Sequence, residues 1–411
     1  MAKGDMSKAD RDKLNPATKV VIGGRRDEWT GIPGQTGRVV NPAVWRASTH
    51  LYEDSAALAQ GPRTNEDGHL FYGRRGAPTQ WALADALTML EPGAFGTMLY
   101  PSGVAAIAGA LMSLVRPGDR LLVTDNAYDP TRNMGMGLLK DLGVETVFFD
   151  PLNIDAYRAL VGTGVRAVFL EAPGSLSFEV CDLPALTAIA KEAGAWVLLD
   201  NTWSGPTGLT ALAMGIDGTV NALTKHVGGH SDLMMGAATG TERLYRRLRR
   251  TAQQLGQVVS PDDAALALRG LRTLDVRLKR ESESALAIAR WLSQRPEVAG
   301  VLCPMLPGAP GHELWRRDFT GGCGLFSFIL ETTDNAARVR FIDALELFGI
   351  GYSWGGYESL ALPVDAAKDR SVSAWPPAGV DPECTLGVRL SIGLEDAGDL
   401  IADLDQALGR I

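Results

Sequence analysis

The segment Val197-Leu198-Leu199-Asp200-Asn201-Thr202-Trp203 sets an acid at the carboxyl end of an apolar run. At the carboxyl edge of an open α/β sheet such an acid faces ligands, although Asp-Asn-Thr there is equally ordinary turn chemistry. Further along, Asn221-Ala222-Leu223-Thr224-Lys225-His226-Val227-Gly228-Gly229-His230-Ser231-Asp232 places one lysine after a strand-like stretch, next to hydroxyls and glycines. A lysine buried among uncharged neighbours loses its proton more readily and becomes nucleophilic enough to form a Schiff base. An aspartate beside a pyridine nitrogen keeps the ring protonated and able to accept electrons. Lys225 and Asp200 together describe a Schiff-base lysine and its pyridinium partner, the arrangement that pyridoxal 5′-phosphate requires.

Such a cofactor needs a phosphate site, and Pro101-Ser102-Gly103-Val104-Ala105-Ala106 offers one where a strand turns into a helix. Backbone N–H groups and the positive dipole end at a helix start both favour a dianion, so Ser102, Gly103 and Val104 are the candidate contacts. Ser-Gly is also a common helix cap with no ligand at all. Thr224 can add a hydroxyl donor to the phosphate, whereas a hydroxyl two residues earlier is absent because position 222 is alanine. Tyr128, in Thr124-Asp125-Asn126-Ala127-Tyr128-Asp129-Pro130, can stack on the cofactor ring or serve as plain packing. The Ser102, Tyr128, Asp200 and Lys225 segments each follow a strand-like run, and their recurrence at one sheet edge favours the ligand reading over coincidence. His226 and His230 stand four apart, a metal-ligand spacing on a helix, but Gly228-Gly229 between them makes a helix improbable.

These residues require a scaffold. A chain of 411 residues exceeds the size at which one core stops growing, about 250–300 residues, so two domains are expected. Residues 1–60 are rich in Gly, Pro and Arg without periodicity and read as an extended arm and subunit-contact segment. From there to about residue 260, apolar runs at 96–100, 120–124, 146–149, 167–170 and 195–199 read as buried parallel strands. Between them, 79–91, 103–115, 131–142, 154–162 and 183–193 carry helical spacing. This alternation predicts an α/β large domain, an open, mostly parallel sheet covered by helices on both faces. Residues 261–411 read as a smaller α+β domain. It would open with one long linking helix from Ala264 to Gln294, bounded by Pro261 and Pro296, and continue with strands at 325–330 and 387–392 and helices at 335–347 and 396–409.

Bulk properties exclude several classes. The net charge of −8 leaves no basic stripe for nucleic acid, and Arg246-Arg247-Leu248-Arg249-Arg250 reads as the solvated end of a helix. Cys181, Cys303, Cys323 and Cys384 form no CxxC pair, so buried reduced thiols are expected. Residues 1–15 lack the apolar core of a secretory signal, and no run reaches the ~18 apolar residues of a membrane span. A cytoplasmic protein is the expectation.

The chain resembles the Cys/Met-metabolism family of pyridoxal-phosphate enzymes over most of its length. The resemblance rests on Phe71-Tyr72-Gly73-Arg74-Arg75-Gly76-Ala77-Pro78-Thr79, Ala127-Tyr128-Asp129-Pro130, Leu170-Glu171-Ala172-Pro173-Gly174-Ser175, Asp200-Asn201-Thr202-Trp203 and the Thr224-Lys225 to Ser231-Asp232 segment. Arg317-Asp318-Phe319-Thr320-Gly321, Tyr352-Ser353-Trp354-Gly355-Gly356-Tyr357-Glu358-Ser359 and Arg389-Leu390-Ser391-Ile392-Gly393-Leu394-Glu395-Asp396 extend it. It implies a fold type I, aspartate aminotransferase-like architecture. It also implies that Tyr72 and Arg74 reach the phosphate held by a neighbouring subunit, in a homotetramer built from dimers that share active sites. A guanidinium suits that task because it grips phosphate with a bidentate fork. Arg389 is implied to clamp the substrate α-carboxylate, with Ser353 and Trp354 beside it. The implied activity is a carbon–sulfur β-elimination, cleaving L-cystathionine to homocysteine, pyruvate and ammonia in transsulfuration and methionine biosynthesis, with cysteine S-conjugates as further substrates. Lys225 would move the Cα proton, and Lys225 or Tyr128 would protonate the departing thiolate.

Other readings stay open at this stage. A γ-lyase or γ-synthase can use the same scaffold. A nucleotide-binding oxidoreductase would need a GxGxxG after an early strand, and none is present. A non-catalytic regulator with a vestigial site is opposed by the intact Asp200 and Lys225.

Overall fold

In the computed structural model, which describes residues 7–32, 34–64, 68–162 and 164–411, each of the expected apolar runs becomes a strand. Seven strands share one sheet: β1 (Gly96–Tyr100), β2 (Arg120–Thr124), β3 (Glu145–Phe149), β4 (Val165–Glu171), β5 (Trp196–Asp200), β6 (Gly218–Ala222) and β7 (Gly236–Gly240). Their spatial order is β1-β7-β6-β5-β4-β2-β3. Strand side chains alternate between two cores. Leu121, Val123, Trp196 and Leu198 enter one, and Leu122, Val197 and Leu199 enter the other. A sheet buried on both faces explains why these runs are continuously apolar rather than alternating. The helix Gly103–Leu114 buries Ala106, Ile107, Ala110, Leu111 and Leu114, one stripe at helical spacing.

A second sheet of five strands has the order β10-β11-β12-β9-β8. It contains β8 (Val298–Leu302), β9 (Leu325–Leu330), β10 (Gly349–Ile350), β11 (Leu360–Val364) and β12 (Gly387–Ser391). β9 is buried along its whole length, while β12 carries Arg389 at its centre, in register with Leu362 and Ser327.

As expected the sheet is mostly parallel; the exception is β7, which runs antiparallel to both β1 and β6. Its sequence, Gly-Ala-Ala-Thr-Gly, has no bulky apolar pattern to announce a strand. Small residues are needed there because a Cβ at Gly236 would lie 2.3 Å from the Ser102 carbonyl oxygen. The single linking helix is two helices, Pro261–Leu271 and Leu274–Leu292, and Pro261 begins the first rather than preceding it. Thr273 leaves helical geometry between them, at φ −108° and ψ 6°. The freed backbone is occupied: Arg277 donates to the Gly270 carbonyl and the Thr273 hydroxyl.

The first sixty residues are not wholly extended. Pro16–Ile22 is a helix whose Val20 joins the core beside Ala82, Leu83 and Ala86. Residues 1–6, part of the segment read for targeting signals, lie outside the described residues. The arginine run lies within the helix Glu242–Gln254 rather than at its end, with Leu248 buried. Arg243 and Arg247 there lie over the Trp196 ring at 4.2 and 5.4 Å. The helix expected over 131–142 is an α-helical Asp129–Met134 running into a π-helical Gly135–Leu139.

Candidate active site

The carboxyl ends of β4, β5 and β6 and the turns after β1 and β2 open onto one cavity of about 560 Å³, closed by Leu362 and Arg389 of the five-stranded sheet and by Trp354 from the loop between β10 and β11. Asp200 and Lys225 both line it. Lys225 sits in a tight turn after β6, where its N–H bonds the Ala222 carbonyl and its own carbonyl accepts from Gly229. That turn is pressed against the helix Pro261–Leu271, because a Cβ at Gly270 would lie 2.2 Å from the Val227 carbonyl oxygen. The Lys225 amine donates to the Ser353 hydroxyl at 2.7 Å and lies 5.0 Å from the centre of the Trp354 ring. Burial, then repulsion from Arg389, lowers its pKa from 10.5 to about 8, against the attraction of Asp200. About a tenth of the amine is therefore unprotonated at pH 7, far more than for an ordinary lysine.

Asp200 ends β5, buried. Its Oδ1 accepts from the Thr202 hydroxyl at 2.5 Å and the Thr202 N–H at 3.0 Å. Burial raises its pKa, while Thr202 and Lys225 oppose the rise. Glu171, which the sequence offers only within a motif, is the register partner of Asp200 on β4 and lines the same cavity. Burial and the Asp200 charge push Glu171 well above the ordinary carboxylate range, and its Oε2 accepts the Tyr128 N–H at 2.7 Å. The signal was present: Phe169-Leu170-Glu171 repeats the apolar-apolar-acid ending of Leu198-Leu199-Asp200.

Ser102 caps the helix Gly103–Leu114, its hydroxyl accepting from the Ala105 N–H at 3.1 Å. Helix geometry leaves the Gly103 and Val104 N–H groups without intrahelical partners. All three residues line the cavity. A Cβ at Gly103 would lie 2.7 Å from the Ala222 methyl, so these two small residues bring the helix start onto β6. Thr224 also lines the cavity, but its hydroxyl is not free as expected. It donates to the Met235 carbonyl at 3.1 Å and accepts from the Met235 N–H at 3.0 Å, so a phosphate contact requires it to rotate away.

Arg389 donates from Nη2 to the Ser353 carbonyl at 2.9 Å. Burial lowers its pKa to about 10, and the same burial favours an anionic partner. Ser353 thus ties Lys225 through its hydroxyl and Arg389 through its carbonyl, at a φ of 81° that non-glycine residues rarely adopt. Tyr128 lines the cavity, half-exposed, and burial followed by Glu171, Asp200 and Asp129 raises its pKa. Its phenol keeps its proton at neutral pH.

Tyr72 and Arg74 do not reach this cavity within the chain. Tyr72 is exposed, and Arg74 donates to the Gln253 carbonyl at 2.8 Å. His226 faces away from the cavity, with Nε2 3.1 Å from the Trp203 carbonyl. His230 Nδ1 bonds the Gly228 carbonyl at 2.8 Å, and no cluster of metal-binding side chains occurs among the described residues.

The cavity fits pyridoxal phosphate. Asp200 is a buried carboxylate with Lys225 as its attractive charge, so a pyridinium would complete its compensation. The helix start supplies N–H donors for a phosphate, and Lys225 supplies the amine.

Comparison with known proteins extends this picture to the whole chain. Residues 18–409 match the family model described as Cys/Met metabolism PLP-dependent enzyme. The chain is 43% identical to the cystathionine beta-lyase of Escherichia coli, over 96% of this chain and 98% of that protein. It is 33% identical to the cystathionine gamma-synthase of Mycobacterium bovis, covering 96% and 97%. Among solved structures, the cystathionine gamma synthase from Xanthomonas oryzae pv. oryzae, in complex with aminoacrylate and cysteine, superposes with a TM-score of 0.85 at 32% identity, covering 97% of this chain and 98% of the other. A lysine and an acid at the edge of a mostly parallel sheet, and a family match spanning nearly every residue, lead to one conclusion: the chain belongs to the Cys/Met metabolism PLP-dependent enzymes, with pyridoxal phosphate as its cofactor.

Proposed function

We propose that this enzyme is a carbon–sulfur β-lyase that cleaves L-cystathionine to homocysteine, pyruvate and ammonia, and that it also accepts other cysteine S-conjugates. The reading is carried by the Lys225 amine, which stands beside Asp200 in one cavity and is linked through Ser353 to Arg389. The higher identity to a cystathionine beta-lyase than to a gamma-synthase supports it.

The bound cofactor supplies a sink for the electron pair left at Cα. The chain does the rest. Arg389 holds the substrate carboxylate, and Ser353 keeps Arg389 and Lys225 on one piece of backbone. Trp354 covers the amine and limits water. Lys225, with its pKa near 8, takes the Cα proton in its neutral form. The sulfur then leaves with the electron pair of the Cβ–S bond and receives a proton from Lys225 or from the Tyr128 phenol. Asp200 stays negative toward the ring nitrogen, and its Thr202 donors hold it in place.

A homo-oligomer completes the proposal. Tyr72 and Arg74 stand outside their own chain's cavity, which supports a role at the phosphate of a second copy in a tetramer of dimers sharing active sites. Four free, buried cysteines support a reducing, cytoplasmic setting. The competing γ-elimination would release 2-oxobutyrate, so identifying the 2-oxo acid formed from L-cystathionine tests the proposal: pyruvate supports it, and 2-oxobutyrate overturns it.

A further inference from the structure

The chain segment that follows β11 crosses back to the seven-stranded sheet, where a single carboxylate receives it. Asp125 lies one residue beyond β2 and is fully buried. Its Oδ1 accepts from the Ser371 hydroxyl at 2.6 Å and from Arg132 Nη1 at 2.7 Å. Its Oδ2 accepts from three consecutive backbone N–H groups, Ser371 and Val372 at 2.9 Å and Ser373 at 2.8 Å. Burial by itself opposes ionisation, yet the Ser371 hydroxyl and these amides hold the Asp125 carboxyl well below the usual carboxylate range.

The residue before this trio is fastened as well. Arg370 donates to the Asp125 carbonyl at 3.1 Å, to the Ser175 carbonyl at 3.2 Å and to the Ser177 hydroxyl, with Glu179 at 3.8 Å. Arg370 lines the same cavity as Lys225, as do Leu362, Pro363 and Val364 on the strand leading to it. One wall of the cavity is therefore a span held at β11 by the five-stranded sheet and at residues 370–373 by Asp125.

We infer that Asp125 is a positioning residue for substrate selection: by docking residues 370–373 it fixes the wall formed by residues 362–370 and so determines how large a group on the substrate sulfur is held. This rests on reading the cavity as a β-lyase site. Asparagine cannot replace the aspartate, because its amide offers one acceptor oxygen and turns an NH₂ group toward N–H donors. Released, the wall loses its packing on a long sulfur substituent and little else, since Lys225, Asp200 and Arg389 are held by other contacts.

The test compares holoenzyme carrying Asp125→Asn with the wild type on L-cystathionine and on S-methyl-L-cysteine, whose sulfur bears only a methyl group. The KM for L-cystathionine is expected to rise by about tenfold, in line with losing charge-assisted hydrogen bonds. kcat/KM for S-methyl-L-cysteine should change by less than about twofold, a shift within ordinary context dependence. The visible absorbance of the bound cofactor stays unchanged, and hydrogen exchange speeds up at residues 371–373 but not in β5 or β6. Equal losses on both substrates, an unchanged KM for L-cystathionine or unaltered exchange at 371–373 would each overturn the inference. If Asp125→Asn does not fold, Ser371→Ala carries the test, since it deletes one donor and is expected to shift KM in the same direction by roughly threefold. A wild type that releases no pyruvate from either substrate defeats the β-lyase reading and the selectivity inference with it; the exchange comparison shows independently whether Asp125 docks the segment.

Discussion

The Lys225 amine donates to the Ser353 hydroxyl at 2.7 Å, joining the end of the seven-stranded sheet to the segment that also anchors Arg389. The residue proposed to move the proton and the residue proposed to grip the carboxylate thus share one support. Ser353→Ala is expected to leave the cofactor bound and to lower kcat/KM for L-cystathionine by roughly three- to tenfold, the worth of one hydrogen bond. Steady-state kinetics checks this; an unchanged kcat/KM would contradict it.

The Arg389 side chain should resist conservative replacement. Arg389→Lys keeps the charge but loses the planar fork, so kcat/KM is expected to fall by about tenfold or more, and Arg389→Ala further. Saturation kinetics should place most of the change in KM. A lysine variant with wild-type KM would show that the carboxylate binds elsewhere.

A pH dependence follows from Lys225. Its pKa is lowered from 10.5 to about 8, so the folded protein binds fewer protons than the unfolded chain between those values. This group's destabilising contribution is full below about pH 8 and vanishes as pH rises through 10.5. For cofactor capture, the reactive neutral amine grows with pH and levels off above about pH 8. Stopped-flow mixing of cofactor-free protein with pyridoxal phosphate should show that rise; a rate still climbing steeply at pH 10 would contradict it.

Glu91 gives a separate linkage. It is buried, its Oε1 accepts the Leu212 N–H at 3.0 Å, and burial raises its pKa to about 7. A raised carboxylate pKa means that the folded state holds the proton longer, so stability declines as pH climbs from 4.5 toward 7. Glu91→Gln removes that slope. The variant should gain about 1–3 kcal/mol relative to wild type between pH 5 and pH 8, measured by denaturant unfolding. Parallel pH profiles would contradict it.

The proposed sharing of active sites between subunits has a direct signature. Lys225→Ala and Arg74→Ala enzymes should each be nearly inactive alone. Refolded together, they should recover part of the activity, because mixed oligomers contain a site with both native residues. No recovery would place Arg74 outside the partner's site.

Much of this architecture was legible because its signals are local. The run Val197 to Leu199 ending in Asp200, and Lys225 after β6, announce both a sheet edge and its chemistry within a few residues. β7 was silent because its requirement is for absent side chains, which leave no apolar period. Glu171 needed the register of β4 against β5, and Asp125 needed partners some 246 positions away. The break in the linking helix is hidden in the sequence because Arg272 and Thr273 fit helical spacing, and only the contacts around Gly270 and Arg277 reveal it.

The central claim concerns one amine. Reducing the native enzyme with sodium borohydride fixes the cofactor to whichever lysine carries it, and peptide mass spectrometry then locates the label. The account predicts a pyridoxyl phosphate adduct on Lys225 and none in the Lys225→Ala protein; a label on any other lysine, or an adduct that survives that substitution, would contradict it.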